Sequence, residues 1–127
     1  MRETSPKRRI VVAVTGASGS LYARLLCGRL AASEAVDEIA LIVTGNGRRV
    51  AAYEDRTDWM DDPRYTLYDD GDLLGAPASG SARYDAMAVV PCSMGMAGRI
   101  ASGVSDSLAS RAADVMLKER RRLVLVT

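Results

Sequence analysis

The sequence predicts an α/β fold: a parallel sheet covered by helices on both faces. Three observations carry this. Four short apolar runs, at 10–14, 39–43, 87–90 and 123–126, are continuous rather than alternating and rich in β-branched residues. That is the composition of strands buried on both faces. Between the runs the apolar spacing becomes helical, and strand–helix alternation is the pattern of βαβ units in a doubly wound sheet.

The elements follow in order. The run 10–14 is the first strand. After Gly19, residues Tyr22, Leu25, Leu26 and Leu30 fall at helical spacing and predict one apolar helix face. The run 39–43 is the second strand, and 45–54 is a weaker helix. The stretch 55–84 is rich in Asp, Gly, Ser and Pro and reads as a long excursion over the ligand edge of the sheet. The run 87–90 is a strand, and 93–101 a short helix despite Gly95 and Gly98. Over 106–121, Leu108, Ala112, Val115 and Met116 form an apolar face, with Asp106 as N-cap and Lys118, Arg120 and Arg121 at the negative end of the dipole. The run 123–126 is the last strand. A covering helix normally follows such a strand, so the expectation is a chain incomplete at its C-terminus. Together these elements predict a Rossmann-like or flavodoxin-like, three-layer α/β/α domain over 8–127, after a flexible start at 1–7.

Composition narrows the function. The 127 residues are 48% hydrophobic and 26% charged, the profile of one globular domain. Seventeen Lys+Arg against sixteen Asp+Glu give a net charge of +1, with no basic excess to suggest nucleic acid. There is no histidine, so a Ser–His–Asp triad or a His-ligated metal is excluded within these residues. Two lone cysteines, Cys27 and Cys92, are too few for a disulfide framework or a Cys-rich zinc site and suit a reducing, cytoplasmic setting. No apolar run approaches the ~20 residues that span a bilayer.

Ligands of such sheets bind beyond the carboxyl ends of the strands. Small and hydroxyl residues stand at three of those ends. Thr15-Gly16-Ala17-Ser18-Gly19-Ser20 lets backbone approach a phosphate or a flavin edge at a helix N-terminus, or is simply a tight strand-to-helix turn. Thr44 reads first as a helix cap and second as a ligand contact. Ser93, before Met94 and Gly95, can cap a helix and donate to a phosphate. Cys92 reads as a small buried thiol rather than a nucleophile. Ser107, Arg111, Asp114, Lys118 and Arg121 share one helical stripe. It is either a solvated face with an Asp114–Lys118 pair or an anion or subunit contact through Arg111. Asp69, Asp70 and Asp72 fit no EF-hand and read as a solvated turn. Glu54, alone, reads as solvent-exposed.

In combination the motifs VAVTGASGSLYARLL at 12–26, GAPASGS at 75–81, PCSMG at 91–95, IASGVSDSL at 100–108 and RAADVMLKERRRLVLV at 111–126 resemble the flavin prenyltransferases (UbiX-type) of the flavin-containing cysteine decarboxylase-like superfamily. The resemblance covers 8–127 and the N-terminal two-thirds of a family member. It implies metal-independent transfer of a dimethylallyl group from dimethylallyl phosphate to reduced FMN, in a homododecamer with sites shared between subunits. The product, prenylated FMN, would serve a UbiD-type decarboxylase.

It further implies that Gly16, Ala17, Ser18, Gly19, Thr44, Ser93, Met94, Gly95 and Arg111 hold FMN, with Ser18 near the reacting edge. Glu54 would stand at the prenyl-phosphate site. Ser79, Gly80 and Ser81 would shape the prenyl pocket, and Lys118 would reach a neighbouring subunit's substrate phosphate. Two departures stand out. Family members continue past the LVLV strand into an Arg-Glu-x-Pro segment and later a Tyr and an Arg, and Met96 replaces a common Thr or Ser. The alternative they suggest is a non-catalytic FMN-binding or assembly subunit. A flavin-dependent decarboxylase of peptidyl-cysteine ranks below both, because such enzymes rely on a catalytic His.

Overall fold

The continuity of the apolar runs is explained by where they sit. The computed structural model describes residues 6–127, so most of the expected flexible start lies outside the described residues. Five parallel strands run β1 (Arg8–Val14), β2 (Val36–Val43), β3 (Tyr65–Asp69), β4 (Ala86–Val89) and β5 (Arg122–Leu125), in the order β3-β2-β1-β4-β5. That is the Rossmann-like order 3-2-1-4-5, with its switch point between β1 and β4. The central strand β1 pairs Val11 with Ala40 on one side and with Met87 on the other, and Val11, Val12, Ala13 and Val14 are all fully buried.

Helices α1 (Ser20–Ala32) and α2 (Gly45–Glu54) cover one face, and α3 (Met94–Ser102) and α4 (Leu108–Lys118) the other. Alternate β1 residues divide between the two cores. Val12 and Val14 join Ala23, Cys27 and Ala51, whereas Val11 and Ala13 join Met96, Leu108 and Ala112. The sheet is thus the middle of three layers.

Three details differ from the sequence reading. First, α1 buries Ser20, Ala23 and Cys27, while Tyr22 is 64% and Leu25 51% exposed. Small side chains let the helix lie close to the sheet and turn the bulkier ones outward; Leu26 and Leu30 are partly buried beside the core. Second, α4 is capped by Ser107, not Asp106. The Ser107 hydroxyl accepts from Ser110 N, and the Ser110 hydroxyl meets Ser107 N in a reciprocal box.

Third, the stretch 55–84 is not one excursion over the ligand edge. It holds a 3-10 turn at Asp58–Asp61, the edge strand β3 and two further short turns at Ala76–Ala78 and Gly80–Ala82. The last of these lies at the opposite, amino edge of the sheet. There Arg9, at the start of β1, donates to the Ala82 carbonyl and to Glu38 Oε1 (3.1 Å), and stands 4.4 Å above the Tyr84 ring. The Tyr84 hydroxyl donates to Glu38 Oε2 at 2.6 Å, closing the cluster.

Candidate functional site

The carboxyl ends of β1 and β4 are stitched together by one side chain. Thr15, 2% exposed, donates through Oγ1 to the Pro91 carbonyl (2.6 Å) and accepts from Ser93 N (2.9 Å). Beyond this stitch lies a cleft of about 590 Å³, at the topological switch point where doubly wound sheets take their ligands. Gly16 forms part of its wall because no larger residue fits: a Cβ there would stand 2.6 Å from Asn46 Cβ.

Three helices point their N-termini into the cleft, each through a hydroxyl cap. Thr44 accepts from Gly47 N (2.9 Å), Ser93 from Met96 N (3.1 Å) and Ser107 from Ser110 N (3.2 Å), and all three line the wall. The sequence left capping and ligand binding as alternatives at Thr44 and Ser93. The caps are present, and capping does not exclude the other role. A hydroxyl that accepts a backbone N–H keeps its own proton to donate. The aligned N–H groups and helix dipoles make this a place for an anion.

Beside the cleft, Ser18 and Glu54 meet. Ser18 Oγ donates to Glu54 Oε2 at 2.9 Å, and Gly19 N donates to Glu54 Oε1 at 2.8 Å. Gly19 has φ +117°, a conformation that favours glycine. The Gly19 backbone N–H, followed by the Ser18 hydroxyl, holds the Glu54 carboxyl below the usual range. Glu54 is therefore an ionised acceptor at the start of α1 near neutral pH.

The remaining residues named from sequence fall in different places. Gly95 lies in the cleft wall with Gly16, Thr44 and Ser93, whereas Met94 is 75% exposed and outside it. Ala17 N donates to Thr15 O within the first turn. Arg111 and Lys118 are exposed on α4 and outside the cleft wall, and no ion pair joins Asp114 to Lys118 among the described residues. Ser79 and Ser81 bond each other through their hydroxyls at 2.8 Å, and Gly80 rests against Glu119 and accepts from Arg121 at 3.4 Å. The 79–81 turn and Lys118 thus sit at the amino edge, opposite the Ser18–Glu54 pair.

Sequence reasoning missed Arg49, Arg99 and the cleft position of Asp70. Asp70 Oδ1 accepts from Ala109 N at 2.8 Å and its carbonyl accepts from Leu108 N at 2.8 Å, so it is a second cap of α4. Burial pushes its carboxyl above the usual range despite those bonds. Both cysteines are buried, and desolvation pushes the Cys27 thiol up to about 12. Among the described residues there is no cluster of three or more His, Cys, Asp or Glu placed to hold a metal, and no helix long and apolar enough to cross a membrane.

The comparisons agree with this geometry. The chain is 45% identical over 123 residues to the flavin prenyltransferase UbiX of Archaeoglobus fulgidus, covering 92% of this chain and 64% of that protein. It superposes with TM-score 0.85 and 41% identity on the crystal structure of AnUbiX (PadA1) in complex with FMN and dimethylallyl pyrophosphate, covering 94% of this chain and 64% of that one. A dodecameric FMN-dependent UbiX-like decarboxylase from Escherichia coli O157:H7 matches with TM-score 0.82 and 33% identity, over 92% of this chain and 64% of that one. The chain therefore spans somewhat less than two-thirds of these relatives. The family model described as Flavoprotein matches residues 1–127 in full, and the chain belongs to that family.

Proposed function

We propose that this chain is the FMN-binding part of a flavin prenyltransferase. It would transfer a dimethylallyl group from dimethylallyl phosphate to reduced FMN. The observation that carries the reading is the cleft at the β1/β4 switch point, lined by three hydroxyl-capped helix N-termini and flanked by Ser18–Glu54. Relatives named flavin prenyltransferase and a neighbour holding FMN with dimethylallyl pyrophosphate support it.

The residues fit the flavin. Gly16 lets the turn after β1 pack closely against Asn46 in the cleft wall, and Thr44 and Ser93 each keep a hydroxyl proton to donate. Ala17, Ser18 and Gly19 would border the ring edge, with Met94 and Gly95 following Ser93 over it, and Arg111 would add a contact from α4. When bound, reduced FMN supplies the nucleophilic ring atoms that receive the prenyl group. The Ser18 hydroxyl commits its proton to the Glu54 carboxylate, which fixes the Ser18 oxygen and leaves its lone pairs to accept from a flavin N–H at that edge. A departing phosphate needs a cation, and Lys118 supplies one.

Because Lys118 and Ser79, Gly80 and Ser81 lie at the amino edge, they would serve the site of a neighbouring copy. This suits a homo-oligomer such as the family dodecamer. The domain is taken as 8–127, the location as cytoplasmic, and the recipient of prenylated FMN as a UbiD-type decarboxylase.

The test is incubation of the purified chain with reduced FMN and dimethylallyl phosphate, followed by mass spectrometry. Prenylated FMN supports the proposal. FMN binding without product would reject transfer by this chain and leave a flavin-binding subunit. No FMN binding would reject both.

A further inference from the structure

The cleft is chemically different at its two ends. At the Ser18 end the first N–H groups of α1 are already occupied by a carboxylate, since Glu54 accepts from Gly19 N and from Ser18 Oγ. An anion placed there cannot use those donors and needs a cation from outside the cleft wall, such as Lys118 of a neighbouring copy. Away from it, the N-termini of α2, α3 and α4 converge and two arginines join the wall, Arg49 on α2 and Arg99 on α3.

Neither guanidinium is committed. Among the described residues no carboxylate lies within 4.0 Å of Arg49. Arg99 reaches Asp106 only at 3.7 Å, with both side chains about half exposed, a contact worth little. The other carboxylate of the wall, Asp70, is engaged by Ala109 N and caps α4. A second, smaller depression of about 270 Å³, lined by Leu30, Ile39 and Arg64 among others, lacks this feature. Its Arg64 is held by Asp62 at 2.9 Å.

We propose that Arg49 and Arg99 form a two-guanidinium clamp that makes this cleft selective for a phosphorylated flavin. The phosphate would lie at the α2/α3/α4 end, and the ring would point to Ser18 and Glu54. The proposal rests on the reading of the cleft as a flavin site and adds the residues that choose between flavins. Guanidinium binds phosphate through paired donors with fixed geometry. A dianionic phosphate between two guanidiniums and three helix N-termini also completes a charge arrangement that an uncharged ribityl hydroxyl leaves open.

The experiment is titration of the purified chain with FMN and with riboflavin, for the wild type, Arg49→Gln, Arg99→Gln, the double variant and Arg49→Lys. Inorganic phosphate serves as competitor. The clamp predicts that the wild type prefers FMN, and that each Gln variant weakens FMN on the order of tenfold or more while riboflavin affinity stays put. It also predicts that Arg49→Lys recovers part of the loss and that phosphate competes with FMN alone. Both positions are exposed helix surface, and unchanged riboflavin binding reports an intact fold. Flavin binding with an unchanged FMN-to-riboflavin ratio would overturn the clamp while leaving the flavin site standing. Binding of neither flavin to the wild type would overturn the flavin reading itself, and the clamp with it.

Discussion

Ser18 Oγ donates to Glu54 Oε2 at 2.9 Å, which joins the turn after β1 to the last residue of α2. The same carboxylate accepts from Gly19 N, so one exposed side chain satisfies a hydroxyl and a helix-terminal N–H together. The cause of its depressed pKa is local and removable. A carboxyl NMR titration should place the Glu54 midpoint below that of an unstructured glutamate, and Ser18→Ala should raise it. The sign follows from the depression. The contribution of Glu54 to stability is present above its unfolded-state pKa and is lost as pH falls through the lowered folded value. A midpoint at or above the ordinary range would contradict the contact.

Asp70 behaves in the opposite sense. Burial is the largest cause of its shift and raises it, ahead of the bond from Ala109 N that lowers it. Its protonated form is favoured on folding, so its contribution is greatest below the unfolded-state pKa and is lost as pH rises through the folded one. Asp70→Asn keeps an acceptor for Ala109 N without a charge to bury. Urea unfolding should find the variant's stability less dependent on pH across the acid range. Ser107→Ala, which removes the cap hydroxyl, should cost about 1 kcal/mol. Equal pH profiles for Asp70→Asn and the wild type would contradict the burial argument.

Two glycines on neighbouring elements should respond oppositely to alanine. At Gly47 a Cβ would run into the Val14 carbonyl oxygen and stand 2.9 Å from its carbon and 3.0 Å from Thr44 Oγ1. Gly47→Ala should destabilise by roughly 1–3 kcal/mol, or more if α2 cannot shift. Nothing lies within 4 Å of a Cβ at Gly28, in the interior of α1. Gly28→Ala should stabilise by up to about 1 kcal/mol. Denaturant midpoints at unchanged m-value report both.

Cys27 and Cys92 are buried, on opposite faces of the sheet. With Cys27 pushed up to about 12 and Cys92 raised by the same desolvation, neither offers thiolate to an alkylating reagent near neutral pH. Iodoacetamide should label neither thiol until denaturant unfolds the chain. Rapid labelling of Cys92 in the native state would show that the loop before α3 opens.

The central strands were legible because burial on both faces demands an unbroken apolar run, as in Val11 to Val14 and Ile39 to Val43. The edge strand β3 was not. Of Tyr65, Thr66, Leu67, Tyr68 and Asp69 only Tyr65 is buried, so this edge strand needs no unbroken apolar run, and it lies within a stretch whose Asp and Gly residues read as loop. The face of α1 was misplaced because its contact with the sheet depends on small residues, Ser20, Ala23 and Cys27, which carry little hydropathy signal. At the site, Thr44 and Ser93 stood out as hydroxyls just past apolar runs. Arg49 and Arg99 did not, being ordinary helix residues in sequence. They reach one cleft because β2 and β4 flank β1 and each delivers a helix to the same edge.

The most direct test of the flavin cleft is an amide NMR titration of the chain with FMN. The largest shift changes should fall on 15–19, on Thr44, Gly45 and Asn46, on Ser93, Gly95 and Met96, and on Ser107. Those positions belong to four different segments that only this fold brings to one cleft. The depression around Leu30, Ile39 and Arg64 should stay silent. Shifts centred on that depression, or none at FMN concentrations that saturate a flavoprotein, would contradict the account.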